Sequence, residues 1–268
     1  MPAGDVFSAA SPLLLAFVAS LTGGFLATSI GALPVLVLHG LSPRVNNAML
    51  AFAAGVMLAA TVFSLLLPSF RLAEGVLGGR VPAALGVVGA MAAGGLLMAA
   101  AHRWVPHEHF AKGPEGYQHG RERLTRVWLF VLAITVHNFP EGLSIGVGAA
   151  SGDASIGLGV TLGIGLQNLP EGLAVAMSLA GLGYGRLHAL GIAALTGLVE
   201  VVGGMAGAGL LEISQHLLPG ALAFAGGTML FVISDEVIPE THRSGFGDSA
   251  TAALFVGFGL MFVLDAAL

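Results

Sequence analysis

The sequence predicts an all-α, polytopic membrane protein of eight transmembrane helices with both termini outside the cytoplasm. Three observations predict it. Of 268 residues, 56% are hydrophobic and 9% charged, with a mean hydropathy of +0.90, whereas a soluble domain carries about 25% charge. Apolar runs separated by charged or Pro/Gly-rich punctuation recur along the whole chain. Lysine and arginine collect on one set of alternate loops, as the positive-inside rule describes. At roughly 20 to 25 residues per span plus connections the chain has room for about eight spans. Residues 1–268 therefore read as a single transmembrane domain.

The first apolar run, 12–36, follows a stretch whose only charge is Asp5, and the first cation is Arg44. Without a positive n-region it reads as a retained span rather than a cleaved signal peptide. The second run, 46–68, lies between Arg44 and Arg71, and the third, 81–101, begins after Arg80. Residues 102–124 hold His102, His107, His109 and His119 and are too polar and too short to form a domain. They are expected to be a cytoplasmic loop whose histidines either capture metal or simply solvate it. The remaining runs fall at 125–150, 156–182, 187–212, 219–240 and 249–268. Loops after spans one, three, five and seven hold Arg44, then Arg103, Lys112, Arg121, Arg123 and Arg126, then Arg186, then Arg243; the other side holds only Arg71 and Arg80. The eight-to-two asymmetry puts the first set in the cytoplasm.

Composition excludes several chemistries. There is no cysteine, so disulfides, thiolate metal sites and redox CxxC motifs are absent. The single lysine, Lys112, sits in the polar loop, which leaves no phosphate-binding GxxxxGK[ST] and no intramembrane Schiff base. No organic cofactor, nucleotide or nucleic acid is implied. Gly142-Leu143-Ser144-Ile145-Gly146 matches G-x-S-x-G, but it lies inside an apolar helix rather than on a strand-turn-helix elbow.

A short repeat carries the chemistry. Residues 137–143 read H-N-F-P-E-G-L and residues 167–173 read Q-N-L-P-E-G-L, thirty residues apart on consecutive spans. Polar motifs broken by Pro and Gly at corresponding places on antiparallel helices point to a transport site. His137 and Glu141, like Gln167 and Glu171, are i and i+4 and share a face; Asn138 and Asn168 flank it. Pro140 and Pro170 leave the carbonyls of Val136 and Leu166 without their helical donors. Glu200 lies near the middle of the sixth span, so three carboxylates meet at one depth. Each costs about 2.5 to 3.5 kcal/mol there if uncompensated. No lysine or arginine occupies the central part of any span, so the natural neutralising partner is a bound cation. Imidazole, carboxylate and amide together suit Zn²⁺, and would also accept Cd²⁺, Fe²⁺, Mn²⁺, Co²⁺ or Ni²⁺. Met57, mid-span in the second helix, reads either as core filler or as a thioether ligand. Asp235, Glu236, Glu240 and His242, at the cytoplasmic end of the seventh span, read either as an exit-side metal relay or as ordinary boundary residues.

These motifs, with the G-L-V-E run ending at Glu200 and D-E-V-I-P-E-T-H at 235–242, resemble the ZIP family of Zrt/Irt-like metal transporters, in particular its bacterial GufA-like branch. The resemblance implies a three-plus-two-plus-three helix arrangement, often as homodimers, with divalent metal moving into the cytoplasm across the bacterial inner membrane by an elevator-like motion. It implies a binuclear centre bridged by Glu141 and Glu171. One metal would see Met57, His137, Glu141, Gln167 and Glu171; the other would see Asn138, Glu141, Asn168, Glu171 and Glu200. Two positions depart from the pattern: some relatives have an acid where this chain has Asn168, and many have proline where it has Val201. The expected function is divalent metal transport rather than enzymatic catalysis. The alternatives are a proton-coupled carrier of another solute and, disfavoured by the lack of H-E-x-x-H, a metal-dependent intramembrane hydrolase.

Overall fold

The computed structural model describes residues 11–104, 122–242 and 245–268. The side chains of 102–104 and 122–126 lie outside that description, as do the expected loop histidines and the basic residues Arg103, Lys112, Arg121, Arg123, Arg126 and Arg243. Among the described residues every regular element is helical. Eight long helices follow in order: α1 Pro12–Leu36, α2 Pro43–Leu77, α3 Arg80–Trp104, α4 Glu122–Ala149, α5 Ala154–Gly181, α6 Arg186–Ile213, α7 Gln215–His242 and α8 Gly247–Ala267.

Seven of these helices are long and apolar enough to cross a membrane. The other, α5, has 28 residues but carries Gln167, Asn168 and Glu171 at its centre, which dilute its hydropathy. Local chemistry sets the starts. Ser11 and Ser42 each precede a proline at the first helical position and accept hydrogen bonds from Leu14 N and Val45 N at 3.2 and 3.3 Å. Asp153 caps α5, accepting from Ser155 N at 2.9 Å.

The α2 helix is longer than the expected 46–68. It runs 35 residues, about 52 Å at 1.5 Å per residue, against a hydrocarbon core of about 30 Å. Pro68 does not stop it, because a π-helical stretch, Thr61–Leu66, precedes the proline and resets the carbonyl ladder. The helix ends only at Gly78, whose φ of 72° is a left-handed cap that suits glycine. Similar π-helical stretches interrupt α1 at Ser20–Leu26 and α7 at Ile233–Val237.

The helices pack α4 along α6, α1 against α5 and α6, α2 along α8, and α3 along α7. α5 also touches α2 and α4, while α3 and α8 are the least enclosed of the seven apolar spans. Glycines set the closest approaches. A Cβ on Gly142 would run into the Glu200 backbone, one on Gly203 into Phe139, one on Gly31 into Leu169 and one on Gly172 into Thr28, so α1, α4, α5 and α6 lock backbone to backbone. Gly94 and Gly227 do the same between α3 and α7, as Gly55 and Gly257 do between α2 and α8. Across the seam between these groups, a Cβ on Gly163 of α5 would first meet the side chains of Ala60 and Met261. The four-helix group is thus tied within itself by backbone contact, and to α2 and α8 through side chains.

Replacing Gly142 by Val is expected to lower the thermal midpoint of the detergent-purified protein by the equivalent of about 1 to 3 kcal/mol. Gly89→Ala, which meets nothing within 4 Å, should leave the midpoint level or raise it. The Ser155 hydroxyl, with the Ser155 and Ile156 N–H groups, holds the Asp153 carboxyl below the usual aspartate value against the opposing effect of partial burial. A depressed carboxylate stabilises the fold above the unfolded value of about 3.9 and loses that contribution as pH falls through the folded value. Asp153→Ala should therefore cost about 1 kcal/mol at neutral pH. Its melting difference from wild type should close in acid below the ordinary aspartate range.

Candidate metal centre

The two motif helices bury their polar residues in the same order. On α4, His137, Asn138, Pro140 and Glu141 are buried while Phe139 faces outward; on α5, Gln167, Asn168, Pro170 and Glu171 are buried while Leu169 faces outward. The correspondence extends ten residues, from Val131 and Thr161 onward, nearly position for position. Both helices continue through their prolines, and the Pro140 carbonyl is taken up by the Ser144 hydroxyl at 2.9 Å.

The expected site residues are all buried, and contacts link six of them: His137, Glu141, Gln167, Asn168, Glu171 and Glu200. His137, Asn138, Glu141, Gln167, Asn168, Glu171, Glu200 and Met57 are each at most 5% exposed. Glu141 lies within electrostatic reach of Glu171 and Glu200, with the Gln167 amide beside it, and Glu171 lies within reach of His137. Met57 is buried in an apolar cluster with Ile164 and Met229, which fits the core-filling alternative. Its carbonyl accepts from Thr61 at 2.8 Å.

Most of the polar atoms here make no hydrogen bond of good geometry. Both amide atoms of Asn138 and Gln167, both carboxylate oxygens of Glu141 and the Asn168 Oδ1 are buried in that condition. Buried polar atoms are otherwise nearly always satisfied, and orphans concentrated in one place mark where something else binds. Among the described residues, no three imidazole or carboxylate groups close on a single point. Two acids turn to lateral partners instead. Glu236 Oε2 lies 2.5 Å from His137 Nε2, and Glu200 is engaged by Asn168 and Thr28.

The helix α7 residues meet different surroundings. Glu236 reaches inward from the π-helical stretch to His137. Glu240 instead lines an open cavity of about 690 Å³ together with His39, Asn47, Phe130, Ser178 and Arg186. His242 is exposed and ties α7 to α8, through its Nε2 and the Thr251 hydroxyl at 3.2 Å. Asp235 is half-buried beside Glu236 in the same stretch.

The cavity opens at the end where α1, α5 and α7 finish and α2 and α6 begin. Its lining includes Ala174, one turn past Glu171, and Phe130, two turns before His137. Toward the opposite end, Ile145, Ile156, Val160, Leu65 and Leu211 belong to a buried apolar cluster.

Sequence reasoning missed the contribution of α1. Thr28 Oγ1 lies 3.3 Å from Glu200 Oε1, and the Gly23 carbonyl accepts from Asn168 Nδ2 at 2.9 Å. The available signal was a set of hydroxyl residues, Ser20, Thr22, Thr28 and Ser29, around Gly23 and Gly24 in an otherwise apolar helix.

Residues 105–265 match the profile of the ZIP zinc transporter family. The chain is 47% identical over 251 residues to the zinc transporter GufA of Myxococcus xanthus, covering 94% of this chain and 98% of that one. It is also 47% identical over 245 residues to the zinc transporter ZIPB of Bordetella bronchiseptica, covering 91% and 79%. To the zinc transporter ZIP11 of Homo sapiens it is 35% identical over 157 residues, covering 56% and 46%. With near-complete alignment at that identity, and with paired Pro-Glu-Gly motifs seated on α4 and α5, the chain belongs to the ZIP zinc transporter family.

Proposed function

We propose that this chain carries divalent transition-metal cations, zinc foremost, across a bacterial inner membrane into the cytoplasm, through a midplane site on α4 and α5. The observation that carries the proposal is the gathering of Glu141, Glu171 and Glu200, with unsatisfied amide and carboxylate atoms around them and no buried lysine or arginine among the described residues. Carboxylates held so deep need compensation, and a doubly charged ion supplies it. His137, Glu141, Gln167 and Glu171 would grip that ion, with Asn138 available beside them. Imidazole nitrogen admits borderline metals, while the absence of thiolate leaves the ion exchangeable.

All eight helices span the membrane in this reading, α5 included, because its polar centre faces the site rather than lipid. The positive-inside asymmetry then places both termini outside and the cavity beside Glu240 on the cytoplasmic face. The larger open cavity on that face, with apolar packing toward the other, supports reading the arrangement as inward-facing. The Glu236–His137 contact lies at the inner edge of the site, where a departing cation would pass. Backbone-locked packing of α1, α4, α5 and α6 allows that group to move as a unit against the other four helices.

Zinc uptake into proteoliposomes is the test. Glu141→Ala and His137→Ala should each fall below about a tenth of wild-type uptake while eluting as the same folded species. Wild-type rates in both variants would refute the site.

A further inference from the structure

Glu200 is the one acid of the three whose oxygens are already engaged. Asn168 Nδ2 stands 3.0 Å from Glu200 Oε1, 2.9 Å from Oε2 and 2.9 Å from the Gly23 carbonyl oxygen. An atom ringed by three acceptors must be the amide nitrogen, which fixes the side chain's orientation. Thr28 Oγ1 adds a contact of 3.3 Å to Glu200 Oε1 while lying 3.1 Å from the Gly24 carbonyl. Glu200 is fully buried, and a Cβ on Gly24 would stand 2.8 Å from its Oε2, so α1 also walls the carboxylate in.

We infer that the Asn168 amide stands in the electrostatic place of a second cation, that Glu200 is a positioning residue rather than a ligand, and that the midplane site holds one divalent ion. This rests on the transport reading above. A metal on Glu200 would need oxygen at about 2.0 to 2.2 Å, along directions where the Asn168 N–H groups now point. Those positive hydrogens repel a cation, so it could bind only by displacing the amide. With Nδ2 pinned, Oδ1 is turned away from Glu200, buried and without a hydrogen-bond partner.

Charge agrees with this. Glu141 and Glu171 together balance one divalent ion, while Glu200 is met by amide and hydroxyl dipoles. Two divalent ions would face three carboxylates and leave a buried surplus of positive charge. An aspartate at 168 reverses the balance, because its oxygens would confront those of Glu200 and the Gly23 carbonyl, and only a cation or a proton could sit between them.

The test counts Zn²⁺ bound per purified full-length chain after equilibrium dialysis, taken as the difference from Glu141→Ala so that the loop histidines drop out. Wild type should hold one ion, Asn168→Asp two, and Asn168→Asp combined with Glu200→Gln one. Uptake separates positioning from ligation. Glu200→Ala, which leaves the Asn168 amide without its buried acceptor, should lose about tenfold or more. Glu200→Gln, which keeps an acceptor for Asn168, should recover to within about threefold of wild type with a similar KM. Two ions in wild type, one in Asn168→Asp, or equal losses in Glu200→Gln and Glu200→Ala would each overturn the inference while leaving transport intact. No difference from Glu141→Ala would overturn the transport site and this inference together.

Discussion

Negative charge buried without a fixed positive partner is the constraint on which the rest depends. Three glutamates from α4, α5 and α6 lie within electrostatic reach of one another in a bilayer-spanning interior. Folding alone gives no reason to keep them, since leucines would pack α4 against α5 at lower cost. In the proposed reading Glu141 and Glu171 are retained because they bind a cation, while Glu200 is met by Asn168 and Thr28. The orphaned amides of Asn138 and Gln167 have the same explanation, as neutral donors that a well-packed core would have satisfied.

The α4–α5 pair is built as two versions of one element. The burial pattern from Val131 to Glu141 repeats from Thr161 to Glu171, with the outward Phe139 matched by Leu169 and the inward His137 by Gln167. Two antiparallel copies of such a helix place their proline-interrupted centres at one depth by symmetry, which is how so short a chain assembles a polar site in lipid. The copies differ in chemistry. His137 turns to Glu236 on α7, whereas Asn168 turns to Glu200 on α6 and Gly23 on α1. One side of the site therefore leans on α7, outside the four-helix group, and the other on α1 and α6 within it.

The shared buried face of the motif residues was legible in sequence because i, i+4 spacing is a local rule. The second helix starts at Pro43, three residues before the expected 46, because hydropathy sees the apolar run and not the Ser42-Pro43 cap that begins the helix. The far end of α2 was not legible either, since Pro68 looks like an end until the π-helical turn before it is known. Partners across the bundle left no local trace. Nothing in D-E-V-I-P-E-T-H says that Glu236 points to a histidine 99 residues earlier while Glu240 lines a cavity. Thr28 belongs to no motif in the sequence, yet α1 supplies a carbonyl and a hydroxyl to the site through close glycine contacts.

The central claim is that a doubly charged ion compensates the buried acids between α4 and α5. Zinc-edge anomalous diffraction from crystals of the zinc-loaded protein tests it most directly. The account predicts a peak between α4 and α5, about 2.0 to 2.2 Å from His137 nitrogen and from Glu141 and Glu171 oxygens. A zinc-transporting protein whose anomalous signal lies only at surface histidines, with the three glutamates still buried and metal-free, would contradict it.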